Sequence, residues 1–202
     1  MHRTMYTKDI EHRIASSDSG QLFVYSDFAD FAPNAAVRKA FSRLEEQGVL
    51  RRVLRGVYEK PHYIERIKEF AAPDPDKVAR KIAEKFSWSI TPSGATALNL
   101  LGLSTQVPNA LEYSSDGPYR CYNLEPYELR FSRSANRELS SLSPITAMVI
   151  QAIRTLGDGM IEEPDIQHLA KRISNNDKEL LLAEGKRAAV WVYDVIKQIC
   201  GR

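Results

Sequence analysis

Pro33–Pro61 reads PNAAVRKAFSRLEEQGVLRRVLRGVYEKP, and its pattern decides the first half of the chain. Seven of these residues are basic (Arg38, Lys39, Arg43, Arg51, Arg52, Arg55, Lys60) and three are acidic (Glu45, Glu46, Glu59). The local net of +4 exceeds the +2 of the whole chain. Val37, Ala40, Phe41 and Leu44 recur at i, i+3, i+4 and i+7, which predicts one buried stripe on a helix. Asn34 is placed to cap that helix and Gly48 to end it. Ala36, Arg38, Lys39, Ser42 and Arg43 fall on the outer side. Val49–Leu54 and Val57–Lys60 are β-prone runs joined at Arg55-Gly56, the signature of a tight hairpin.

Upstream, the pattern predicts a helix over Lys8–Ser16, a strand at Leu22–Tyr25 and a short helix capped by Ser26 that carries Phe28 and Phe31. The order is helix, strand, short helix, turn, helix, hairpin, which is that of a winged helix-turn-helix. Such a module places a helix in the major groove and a hairpin beside it. Duplex DNA carries a phosphate charge about every 1.7 Å of axis, so cations gathered on one face favour docking. The DNA-binding residues expected from this arrangement are Asn34, Ala36, Arg38, Lys39, Ser42 and Arg43 on the helix, with Arg51, Arg52 and Arg55 on the hairpin.

Downstream, Ala71–Pro75 reads as a linker, dividing the chain into domains 1–72 and 73–202. Asp74 and Pro75 suit a helix start, with Val78, Ala79, Ile82 and Phe86 as its apolar stripe. A strand is expected at Trp88–Thr91, a helix over Pro92–Leu101 stopped by Gly102, and a hairpin in LEYSSDGPYRCYNL turning at Asp116-Gly117. Glu128–Arg133 adds a third strand. Ser143-Pro144 opens a helix ending near Gly157, and further helices fill Glu163–Ile199. The expected fold is α+β: a winged helix-turn-helix followed by a second α+β domain with a small antiparallel sheet and a helical C-terminal part.

The 202 residues are 43 % hydrophobic and 27 % charged with a pI near 8.5, ordinary values for a globular protein. No apolar leader or membrane-length run stands out, and Cys121 and Cys200 lack CxxC spacing, so a cytoplasmic protein with free thiols is expected. Nucleotide-binding glycine motifs, GxSxG and HExxH are missing from the sequence. The four histidines (His2, His12, His62, His168) show no ligand spacing, so no metal, no cofactor and no enzymatic activity are expected. Cys121 has no identifiable base, and capping explains Asp74 and Asp76. Ser93-Gly94, at a helix start, is the best candidate for a phosphate or ligand turn, although a plain cap explains it more simply.

Three blocks, AFSRLEEQGVLRRVLRGVYEKP, DPDKVARKIAEKFSWSITPSGATALNLLGLSTQVP and SSDGPYR, resemble the AbiEi-type antitoxins of type IV toxin-antitoxin systems. The resemblance spans Lys8 to Arg137 and rests on the RGVY wing and the SGATALNLLGLSTQVP block in that order. It implies an N-terminal winged helix, a C-terminal antitoxin domain, repression of the chain's own operon and countering of a nucleotidyltransferase-type toxin. The recognition helix would fall on Asn34–Arg43 and the wing on Arg51–Tyr58. The alternatives are a free-standing winged-helix regulator, a winged-helix adaptor for proteins, and an enzyme acting on nucleotides through Ser93-Gly94.

Overall fold

Phe41 points inward from the middle of a helix and meets three other rings, and the first half of the chain is organised around it. The computed structural model describes residues 2–133 and 141–202, with side chains from residue 6 onward. Residues 134–137, the end of the stretch that resembles the antitoxins, lie outside the described residues. The chain divides into two compact units, Met1–Ser87 and Trp88–Arg202, and the fold is mixed α+β.

The first unit runs α1 (His2–Ala15), β1 (Leu22–Phe23), a 3-10 turn (Tyr25–Phe28), α2 (Asn34–Glu46), β2 (Arg51–Leu54) and β3 (Val57–Glu59). Two short strands, β4 (Tyr63–Ile64) and β5 (Glu69–Phe70), and helix α3 (Pro75–Phe86) complete it. The stripe predicted for α2 is buried as expected. Its C-terminus closes as a Schellman motif: Gly48 at φ +73° donates to the Glu45 carbonyl, and Val49 donates to that of Leu44. At the other end the cap is Pro33, not Asn34. The Pro33 carbonyl takes the Ala36 and Val37 N–H groups, and Asn34 becomes the first helical residue. Ser26 likewise lies inside the 3-10 turn, which is closed by Asp27 accepting from the Val24 N–H at 2.8 Å.

The sheet order is β1-β3-β2, antiparallel throughout, with the β2–β3 hairpin turning at Arg55-Gly56 as expected. Val57, Tyr58 and Glu59 are all buried. Successive strand residues point to opposite faces, so both faces of β3 are covered. Phe23 and Tyr58 face the cluster formed with α1 and α2. Helix α3 lies against β1 and β3 and buries Val78, Ala79, Ile82 and Ala83. The contact division therefore falls after Ser87, and the helix expected to open the second domain completes the first. Asp74 caps it as predicted, accepting from the Asp76 and Lys77 N–H groups. Phe86 leaves the expected stripe and is half exposed, because the helix ends there at a left-handed Ser87.

The second unit contains β6 (Ile90–Pro92), α4 (Gly94–Leu101), β7 (Ala110–Ser115), β8 (Arg120–Leu124) and β9 (Tyr127–Arg133), then α5 (Pro144–Leu156), α6 (Glu163–Arg172), α7 (Asn175–Glu184) and α8 (Val190–Ile199). Its sheet is mixed rather than antiparallel. The order is β6-β7-β9-β8, and β7 pairs with β9 in parallel. The hairpin expected at Asp116-Gly117 does not form, since β9 enters between β7 and β8. Asp116 instead bonds back to β6's lead-in, its side chain accepting from the Ser89 N–H at 2.8 Å and its own N–H reaching the Ser89 carbonyl. Gly117 is needed for space: a Cβ there would sit 2.5 Å from the Trp88 ring. The tight hairpin is β8–β9, turning at Glu125-Pro126. Helix α5 supplies the apolar centre of the C-terminal helices through Val149, Ile150 and Ile153.

If α3 completes the first unit, a fragment of residues 1–87 melts cooperatively and one of residues 1–72 does not. The Lys81–Asp27 ion pair (3.0 Å, side chains 11 % and 15 % exposed) ties α3 to the 3-10 turn. Lys81→Met should cost about 2 kcal/mol by leaving Asp27 unpaired, less than the roughly 3–5 of a fully buried pair. Equal melting of the two fragments would refute this assignment.

Candidate nucleic-acid interface

The cations of Pro33–Pro61 sort into two groups according to what they touch. Arg51 belongs to the fold. Its Nε donates to Glu59 Oε2 at 3.1 Å, and its Nη2 donates to the same oxygen and to the Ala71 carbonyl at 2.7 Å. Glu59 is only 4 % exposed, so its charge needs this partner. Lys60 also belongs to the fold: its ammonium donates to the Ala15 and Ser17 carbonyls, both at 2.7 Å, closing the C-terminus of α1. Arg43 is loosely paired with Glu11 at 3.9 Å. Ser42 donates to Glu46 within α2.

The other group faces solvent. Arg38, Lys39, Arg52 and Arg55 are exposed, and among the described residues none has a carboxylate within ion-pairing distance. Asn34 is exposed and Ala36 partly so at the start of α2, leaving a shallow profile there. Arg38 and Arg52 converge through two phenols. The Arg38 guanidinium lies over the Tyr25 ring, 5.2 Å from its centroid, and the Tyr25 and Tyr58 hydroxyls share a hydrogen bond of 3.0 Å. Arg52 is the cross-strand neighbour of Tyr58 and acts on its phenol electrostatically. Helix and hairpin thus present cations around one aromatic link.

The sequence pattern did not single out Lys85. From α3 its ammonium donates to the Arg55 carbonyl at 3.0 Å and occupies the space beside Gly56, where a Cβ would lie 2.7 Å away. Burial, followed by the nearby Arg55 charge, holds this lysine below its usual pKa. A fourth element is therefore anchored to the hairpin tip. Nothing local in the chain announces this, because Lys85 and Arg55 are thirty residues apart.

Ser93-Gly94 does not form an anion cradle. Gly94, at φ +55°, has the Glu112 carboxylate 2.6 Å from where a Cβ would stand. A carboxylate suits a helix N-terminus but repels a phosphate there. The Ser93 side chain makes no cap bond, while its N–H donates to the Glu112 carbonyl. The turn is a junction between α4 and β7. Cys121 is exposed, with its thiol donating to the Tyr119 hydroxyl, and Cys200 is half-buried, which raises its thiol pKa. Among the described residues no group of three or more His, Cys, Asp or Glu is arranged to hold a metal ion, and no helix is long and apolar enough to cross a membrane.

The two kinds of arginine should separate on substitution. Arg51→Ala leaves Glu59 buried without its partner and should cost about 3 kcal/mol of stability. Arg52→Ala, one residue along, should stay within roughly 0.5 kcal/mol of the parent. Thermal melting of the two variants checks this, and similar melting temperatures would contradict the sorting.

No curated protein matches the chain. Residues 9–181 match the model of a family of unknown function, DUF6088, which covers most of the sequence. The chain belongs to that family.

Proposed function

We propose that this protein binds double-stranded DNA through the α2 face and the β2–β3 hairpin and regulates transcription of its own operon. The observation that carries the reading is the set of four solvent-facing cations with no carboxylate partner among the described residues, Arg38, Lys39, Arg52 and Arg55, gathered from helix and hairpin. A merely soluble surface interleaves both signs, and here the acidic residues of the stretch are engaged or lie at the end of α2. In this reading the first unit is a winged helix, α2 is the recognition helix and the Arg55-Gly56 tip is the wing. Ala36 admits close approach, and Arg38 reads a base edge. Lys39, Arg52 and Arg55 neutralise phosphates. The protein acts by binding rather than by catalysis, in the cytoplasm, where its operator is accessible.

The antitoxin role rests on the three sequence blocks that resemble AbiEi-type antitoxins. Under it the second unit counters a cognate nucleotidyltransferase toxin. Co-expression with a neighbouring nucleotidyltransferase gene tests this: rescue of growth by residues 88–202 supports it, and failure of the full chain to rescue removes it. A free-standing regulator would bind DNA and rescue nothing. An adaptor for proteins is favoured by one feature, the exposed Tyr63–Phe70 ring pair on β4–β5.

The three phosphate contacts of Lys39, Arg52 and Arg55 predict a slope of about −2.7 when log affinity is plotted against log salt, at roughly −0.9 per contact. Gel shifts on the upstream DNA across a salt series measure it. Lys39→Ala and Arg55→Ala should each flatten the slope by about one unit. A flat dependence, or no binding at low salt, would exclude DNA as the partner.

A further inference from the structure

Resting on the DNA reading, we propose that Tyr25 is a positioning residue for sequence recognition: its ring holds the Arg38 guanidinium flat, with the N–H fork directed to a guanine edge. The Arg38 guanidinium carbon stands 5.2 Å from the Tyr25 centroid, within cation–π range. A guanidinium lying parallel to a ring presents its face to it and keeps its donors free at its edge. Arg38 can therefore remain on the ring and still donate twice to guanine O6 and N7. A solvated arginine loses rotamer freedom when it docks on a base, and one already held over a ring loses less.

Tyr25 is itself held in place by two neighbours, through three contacts. Its ring packs 5.4 Å from Phe41 and 5.8 Å from Tyr58, and its hydroxyl shares the 3.0 Å bond with the Tyr58 hydroxyl. Burial first, and then the bond to Tyr25, push the Tyr58 phenol up to about 12, against the pull of Arg52. Tyr58 thus stays protonated and keeps its bond throughout the physiological range. The Arg38 anchor is fixed to β3 and hence to the hairpin, so the base-reading and phosphate-binding groups keep a constant spacing.

The test compares binding of the full chain to a duplex of its own upstream DNA and to a scrambled duplex of equal length. Arg38→Ala should lose about tenfold to a hundredfold of the preference for the upstream duplex. Tyr25→Leu should lose a similar share, with binding to the scrambled duplex unchanged and the double variant no worse than either single one. Tyr25→Phe keeps the ring and should keep most of the preference. A full preference in Tyr25→Leu, an equal loss on both duplexes, or additive losses in the double variant would overturn the inference while leaving DNA binding intact. Should Tyr25→Leu fail to fold, Tyr25→Met decides: it fills the site without a ring face and must lose the preference, and retention overturns the inference. Absence of wild-type binding to either duplex at low salt removes the DNA reading and this inference together.

Discussion

Phe41 meets Phe28 edge-on at 5.4 Å, Tyr58 edge-on at 5.0 Å and Tyr25 at 5.4 Å, and it is fully buried. Those three rings come from the 3-10 turn and from β3, while Phe41 comes from α2. One side chain therefore fixes the orientation of the helix on the sheet. Such aromatic contacts add about 0.5–1.5 kcal/mol each beyond area burial, and their edge-to-face geometry makes the fit directional. The directions of Arg38, Lys39 and the hairpin arginines all follow from that docking. Replacing Phe41 would disturb the position of every cation in the proposed interface.

The excess of positive charge that marks the stretch has two physical causes. Part of it closes the fold: Arg51 balances the buried Glu59 and grips the Ala71 carbonyl, and Lys60 closes α1. The remainder faces water. Charge counting alone cannot separate the two, because the difference is made by partners distant in the chain. Arg51 and Arg52 are neighbours of one residue type with opposite fates, set by the alternation of a strand. Arg51 lies across from Glu59, and Arg52 across from Tyr58.

The order of elements was legible in the sequence because it is written in local signals. The α2 stripe, the Gly48 stop, the Arg55-Gly56 turn, the Asp74-Pro75 start and the Ser143-Pro144 start all act within a few residues of themselves. What local pattern missed depends on contacts across the chain. Asp-Gly at 116–117 has turn chemistry, but the glycine makes room for Trp88 and the aspartate bonds to Ser89. The β4–β5 pair went unread because its two short strands are largely exposed and lack an apolar run like that at Leu22–Tyr25. The linker composition at Ala71–Pro75 suggested a boundary, yet β3 buries three successive residues and so required a further covering element. That continuous burial was the available hint, since Val57-Tyr58 beside a Leu22-Phe23 pair is too apolar for a strand with one wet face. Glu112 beside Gly94, and Lys85 at the hairpin tip, left no mark in the sequence that spacing could reveal.

Both units fold around their own apolar clusters, so a footprint on the protein can be assigned to one unit or the other. Amide hydrogen exchange of the full chain, with and without a duplex of its upstream DNA, locates that footprint directly. Protection added by the duplex should be confined to Asn34–Arg43 and Arg52–Gly56, with the C-terminal helices α6 to α8 unchanged. Protection concentrated in Glu163–Ile199, or no change in either hairpin or α2 at low salt, would contradict a DNA-binding face built from α2 and the β2–β3 hairpin.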